Sequence, residues 1–89
     1  MITYIRTVSL GGYDKQETMA VIDVLNMRIC SLCDELEKKK HGKVFDVPPW
    51  LPMRMPGRAN RNGFDESDTD QLITELRCCA AELEKELLT

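Results

Sequence analysis

Apolar residues recur along the chain in two runs with the same spacing. Ile22, Leu25, Ile29, Leu32 and Leu36 stand three, four, three and four positions apart, and Ile73, Leu76, Ala80, Leu83 and Leu87 repeat that order. Such spacing is the seam of a coiled coil, with β-branched and leucine residues alternating in the first copy, and it predicts two helices. Val21 widens the first seam. Asp14 and Asp65 stand where an N-cap carboxylate can accept from free first-turn amides, and Glu17 completes a capping box. Lys38, Lys39 and Lys40 suit the carbonyl end of the first helix, and Gly42 is a stop. Before the first helix, Ile2, Tyr4, Val8 and Leu10 fall on one side of a period-two pattern and Thr3, Thr7 and Ser9 on the other. Although Ile5 and Arg6 break the alternation, it predicts a short half-buried strand ended by Gly11-Gly12.

A shift of 51 positions lays Gly12, Tyr13, Asp14, Thr18, Val21, Ile22 and Leu25 over Gly63, Phe64, Asp65, Thr69, Leu72, Ile73 and Leu76. A glycine-aromatic-aspartate start followed by the same apolar spacing implies one unit used twice. Each seam runs for about two heptads, short for an independent coiled coil. The two are therefore expected to bury against each other, against a second chain, or both.

Residues 43–62 carry all four prolines, Pro48, Pro49, Pro52 and Pro56, which exclude a regular helix or a central strand. Val44, Phe45, Val47, Trp50, Leu51, Met53 and Met55 are too many large apolar groups for a solvated loop, so much of the segment is expected to pack over the helices. A helix of about 37 Å at ~1.5 Å per residue can be retraced by a link reaching about 70 Å. The expected fold is thus mainly α: two coiled-coil-like helices, parallel or near-parallel, with a short N-terminal strand and a proline-rich crossing segment. One domain covers 1–89, with a first unit at 1–41, a connector at 42–62 and a second turn-helix unit at 63–89.

Charge separates along this plan. Lys38, Lys39, Lys40, Lys43, Arg54, Arg58 and Arg61 lie in or beside the connector, whereas the last 27 positions carry eight acids and two bases. A solvated loop beside a solvated helix face explains this, and the net charge of −3 gives no reason to expect a nucleic-acid partner. Trp50, Leu51, Met53 and Arg54 admit two readings: apolar groups completing a small core, which is the expectation carried forward, or an anchor for a membrane surface or partner protein. The chain contains no run of the roughly 20 apolar residues a membrane span needs and no signal-peptide pattern. A cytoplasmic location is expected, with Cys30, Cys33, Cys78 and Cys79 reduced.

Those cysteines are also the only candidate metal ligands. Cys30 and Cys33 have pair spacing and Cys78-Cys79 can complete a four-thiolate zinc site, but structural zinc pairs sit on tight turns rather than on helices. Small core or boundary residues are the expected role, and no cofactor is expected. His41 is the single histidine, and with no phosphate loop or paired-acid motif the chain is not expected to be an enzyme.

A short strand, a turn carrying glycine-tyrosine-aspartate at 12–14, and a capped helix feeding a coiled coil resemble the N-terminal domain of the DivIVA and GpsB family of bacterial division and polar-growth scaffolds. The likeness is fuller over 2–36 than over 63–87. It implies a non-catalytic interaction module that recruits or organises proteins in cell division or envelope growth, pairs as a homodimer, and can touch the inner face of the membrane. The family's membrane tip resembles an aromatic-basic pair before the triplet, where this chain has Leu10-Gly11 and Arg61-Asn62. The resemblance also implies a groove for an arginine-containing peptide at Tyr13, Met19 and Asp23, or Phe64, Asp70 and Thr74. Each copy keeps one acid, which leaves Tyr13, Asp23 and Asp70 as the partner-binding set, able to hold a guanidinium in a fork geometry. The alternatives are a small inhibitor or adaptor, encoded by a mobile element, that masks a target protein, and a zinc-stabilised structural module.

Overall fold

The computed structural model describes residues 5–50 and 53–89. Helix α1 spans Lys15–Lys40 and helix α2 spans Glu66–Leu88. The Asp14 carboxylate accepts from the Glu17 amide at 2.9 Å, and Asp65 accepts from Asp68 at 2.9 Å, one cap per repeat. Helix α1 ends in a Schellman motif: Gly42, at φ +69°, donates to Lys39 O, and Lys43 donates to Lys38 O.

The helices lie side by side and run in the same direction. Val21, Ile22 and Leu25 share one buried cluster with Ile73 and Leu76 near the helix starts, and Leu32 and Leu36 share another with Ala80 and Leu87 near the ends. Leu25, Leu32 and Ala80 are fully buried. Lys39 Nζ closes the far end by donating to the carbonyls of Glu86 and Leu87 at 3.0 Å and to that of Thr89. A cation thus serves the orphan carbonyls of the neighbouring helix.

No regular strand forms among the described residues. Ile2 and Tyr4 of the expected strand lie outside them, and 7–13 meet 58–64 through isolated antiparallel bridges: Thr7 with Phe64, Leu10 with Arg61, and Tyr13 with Arg58 and Phe64. Gly11 and Gly12, at φ +70° and +84°, bend the segment away before a ladder can extend.

The bonds at this crossing obey the 51-residue shift. Val8 N donates to Gly63 O and Ala59 N to Gly12 O; Gly11 N donates to Asn60 O and Asn62 N to Ser9 O; Asp14 N donates to Gly57 O and Asp65 N to Arg6 O. Tyr13 and Phe64 exchange both backbone bonds at 2.9 Å, so the pseudo-twofold passes between them. Gly12 and Gly63 meet there. A Cβ on Gly63 would lie 2.6 Å from Gly11 O and 2.7 Å from Tyr13 O, and one on Gly12 would lie 2.5 Å from Phe64 O.

The connector returns along α1. Asp46 N donates to Glu35 at 3.0 Å, the Pro48 carbonyl accepts from Arg28, Met53 packs against the Val21 cluster, and Gly57 O accepts from Asp14 N. Its apolar groups divide. Phe45 and Met53 pack against the two clusters and Pro56 is buried, whereas Val44, Val47, Trp50 and Met55 are exposed. Cα extents of 52 × 23 × 14 Å describe a single layer, too thin to bury every apolar group.

Gly63→Ala is expected to cost about 1 to 3 kcal/mol, because the added methyl meets backbone that cannot swing aside. Gly42→Ala, with nothing within 4 Å of its Cβ, should cost about 1 kcal/mol through its positive φ alone. Urea midpoints followed by circular dichroism give the comparison. A second expectation concerns acid. Arg6 donates to Asp68 through Nε at 2.9 Å and its amide at 3.2 Å, and these bonds hold the Asp68 carboxyl below its usual range. A depressed carboxyl stabilises the fold above the unfolded value of about 3.9 and loses that contribution as pH falls through the lower folded value. Asp68→Asn should therefore be less stable than wild type at neutral pH, and the difference should shrink as an acid titration falls below the unfolded carboxyl value and through the lower folded one.

Candidate functional site

The crossing assigns each triplet aromatic to the other repeat's helix. The Tyr13 hydroxyl donates to Asp70 Oδ1 on α2 at 2.8 Å, and Lys15 of α1 stands 5.3 Å from the Phe64 ring centroid. Tyr13 is half-buried, and donating to the Asp70 carboxylate raises its pKa, with desolvation and the Asp70 and Glu66 charges adding to the effect. Tyr13 therefore remains a donor at neutral pH, leaving Asp70 Oδ2 open to a second partner. Tyr13 and Asp70 come together. Asp23 is exposed on α1, the helix that Phe64 faces, and takes no part in that bond. Of the expected set of three, Tyr13 and Asp70 are bonded, and the shift of 51 puts Met19 rather than Asp23 at the position of α1 that matches Asp70.

At the tip of the crossing Leu10 is 84% exposed and pairs across the bridge with exposed Arg61. The departures from an aromatic-basic pair in each repeat thus place one apolar and one cationic residue opposite each other. No described helix is long and apolar enough to cross a membrane.

Of the proposed anchor residues, Trp50 is 47% exposed, Met53 is half-buried, Arg54 is exposed and Leu51 lies outside the described residues. Trp50 belongs to neither core cluster; the Arg28 guanidinium covers one face of its ring, 4.1 Å from the centroid. The expectation that Trp50 sits in the core is corrected here. The buried residue beside the seam is Arg28, and the indole lies against it with its other face exposed.

Arg28 is the residue sequence reasoning missed. It is 6% exposed, donates through Nη1 to the Pro48 carbonyl and through Nη2 to Glu84 Oε2 at 3.1 Å, and thereby ties connector, α1 and α2 together. Its signal was an arginine three residues after Leu25 and four before Leu32, at the edge of the seam, where a charge is expensive unless paired. Nε has no partner.

Cys30, Cys33 and Cys78 are exposed and Cys79 is half-buried, so the thiols line the rim of the helix pair rather than its core. Among the described residues no three His, Cys, Asp or Glu side chains gather as metal ligands. His41 caps α1, with Nε2 3.5 Å from Glu37. No family model, curated protein or solved structure matches the chain.

Arg28→Ala is expected to lower stability by about 2 kcal/mol, since it removes packing beside the seam along with the Glu84 and Pro48 bonds. Its second readout is Trp50 emission, which should shift to the red as the covered ring face meets water. Unchanged emission would show that the stacking contributes nothing to the indole's environment.

Proposed function

We propose that the chain is a non-catalytic protein–protein interaction module of DivIVA-like design, in which one polypeptide supplies both turn-helix units of a parallel pair. Its role is to recruit or organise partner proteins in bacterial cell division or envelope growth. The observation that carries this reading is the set of crossing bonds that obey the 51-residue shift. A self-complementary crossing is what two identical chains would make about a twofold axis.

Partner contact falls to Tyr13, Asp70 and Asp23. An arginine of the partner's peptide binds Asp70 through the oxygen that Tyr13 leaves open, with Asp23 on α1 as the second acid. The exposed Leu10 and Arg61 at the tip support peripheral contact with an anionic membrane face, the apolar side chain entering and the cation pairing with headgroups.

A second reading, a small inhibitor or adaptor that masks another protein, is favoured by one feature: the seams bury against each other within the chain. Such a pair needs no second copy. A native mass spectrum separates the two, a dimer favouring the scaffold and a monomer the adaptor.

Affinity capture from a bacterial lysate tests the contact itself. Wild type should retain division or wall-synthesis proteins, and Asp70→Ala combined with Asp23→Ala should reduce their binding about tenfold or more, the cost of a lost charge-assisted pair. Undiminished capture by the double variant would remove the arginine-binding contact. Retention of one unrelated stoichiometric protein would favour the adaptor.

A further inference from the structure

The two repeats differ most on the outward face of the helices. On α1, Ala20, Val24, Met27 and Ser31 form a second stripe at spacings of four, three and four; the shift of 51 places Gln71, Glu75, Cys78 and Glu82 at the matching positions of α2. Ala20 and Val24 are apolar where the second copy has Gln71 and Glu75. The connector covers this face only in part, for Met27 is 60% exposed, Trp50 47% and Met55 43%.

What remains is a furrow between α1 and the connector. A hollow of about 200 Å³ lies between Val24 and Met53, and a second of about 180 Å³ lies between Met27 and Trp50, with Val24 lining both. The second leads past Ser31 and Pro49 into a wider depression of about 630 Å³ rimmed by Asp34, Glu35 and Asp46. Lys38 at 2.7 Å and the Asp46 amide at 3.0 Å already occupy Glu35 and hold its carboxyl below the usual range. The carboxylates of Asp34 and Asp46 keep the charge of that end negative. The furrow is therefore apolar over Val24 and Met27 and acidic about ten residues further along α1, a separation of about 15 Å.

We propose that this furrow docks an amphipathic helix of a partner protein that carries two apolar residues one turn apart and, two to three turns away, an arginine or lysine. The apolar residues seat beside Val24, Met27 and Trp50, and the base reaches Asp34 and Asp46. The spacing of the stripe argues for a helix, since a four-three-four row accepts the knobs of a second helix. Charge fixes the polarity of the partner. A second copy of this chain is the poorer occupant, because the outward face of α2 is polar and carries Glu75 and Glu82, which the acidic end would repel. The proposal rests on the reading of the chain as an interaction module and adds a contact distinct from Tyr13 and Asp70.

Trp50 makes the test direct, because it lines the furrow and is the single tryptophan. A phage-displayed library of random peptides about 16 residues long, enough for four helical turns, is selected on the wild-type chain and counter-selected on Met27→Glu. Enriched peptides are expected to share the apolar pair and the base at that separation. A synthetic copy should change Trp50 fluorescence and lose about tenfold or more in affinity against Met27→Glu and against Asp34→Lys, and none against Asp70→Ala. Both furrow substitutions lie at exposed positions, so the fold survives them. No enrichment over bare support, enrichment without the base, or binding indifferent to Asp34→Lys overturns the proposal. A Trp50 signal that changes with protein concentration and no peptide assigns the face to a second copy and overturns it as well. Capture with the Asp23 and Asp70 variants reads the other contact, so either idea can fail while the other stands.

Discussion

Two glycines passing each other at van der Waals range set the geometry on which the rest of the chain depends. Gly12 and Gly63 each lie where a Cβ would strike the other repeat's backbone, and that approach lets Tyr13 and Phe64 exchange bonds about the pseudo-twofold. Once the backbones are bonded there, Asp14 and Asp65 cap helices that start at the same level. The direction of both helices and the register of both seams follow. A larger residue at either glycine would push the helix starts apart and unseat the first buried cluster before any seam residue had changed.

Parallel helices in one chain demand a long return, and the connector shows how that return is stabilised. Proline cannot supply helix or sheet bonds, so the segment is fastened at points: Asp46 to Glu35, Pro48 to Arg28, Gly57 to Asp14. Arg28 is the most connected of these because it also reaches Glu84 on α2. A buried guanidinium is expensive alone and becomes tolerable when a carbonyl, a carboxylate and an aromatic face surround it. The same residue that fastens the connector stacks on Trp50, which is half exposed.

Much of the fold was legible in the residue pattern, and for definite reasons. Helix limits followed from Asp14, Asp65 and Gly42, whose capping roles are local, and the seams followed from spacing. What failed was non-local. The period-two pattern before Gly11 looked like a strand because alternation reports half-burial, not pairing length, and among the described residues the glycine bend leaves only isolated bridges. Tyr13 and Asp70 could be named from the family resemblance, but their hydrogen bond could not, since it depends on which helix each aromatic faces after the crossing. Arg28 was hidden because burial of a charge depends on Glu84 and Pro48, 56 and 20 residues away.

Joining two units in one chain has a consequence that a symmetric pair cannot reach. In a homodimer any change on one outward helix face appears on both, so an apolar furrow on one side brings an identical furrow on the other and a risk of open-ended association. Here the copies have separated: α1 presents Ala20, Val24 and Met27, and α2 presents Gln71, Glu75 and Cys78 at the same places. The crossing is held close to symmetric, because all but one of its backbone bonds have a mate under the shift, the exception being Gly63 N to Gly11 O. The outward faces are under no such constraint, and the connector lies along only one of them. The symmetry that holds the helices together therefore ends at the seam, and beyond it the chain is free to present one apolar side and one polar side.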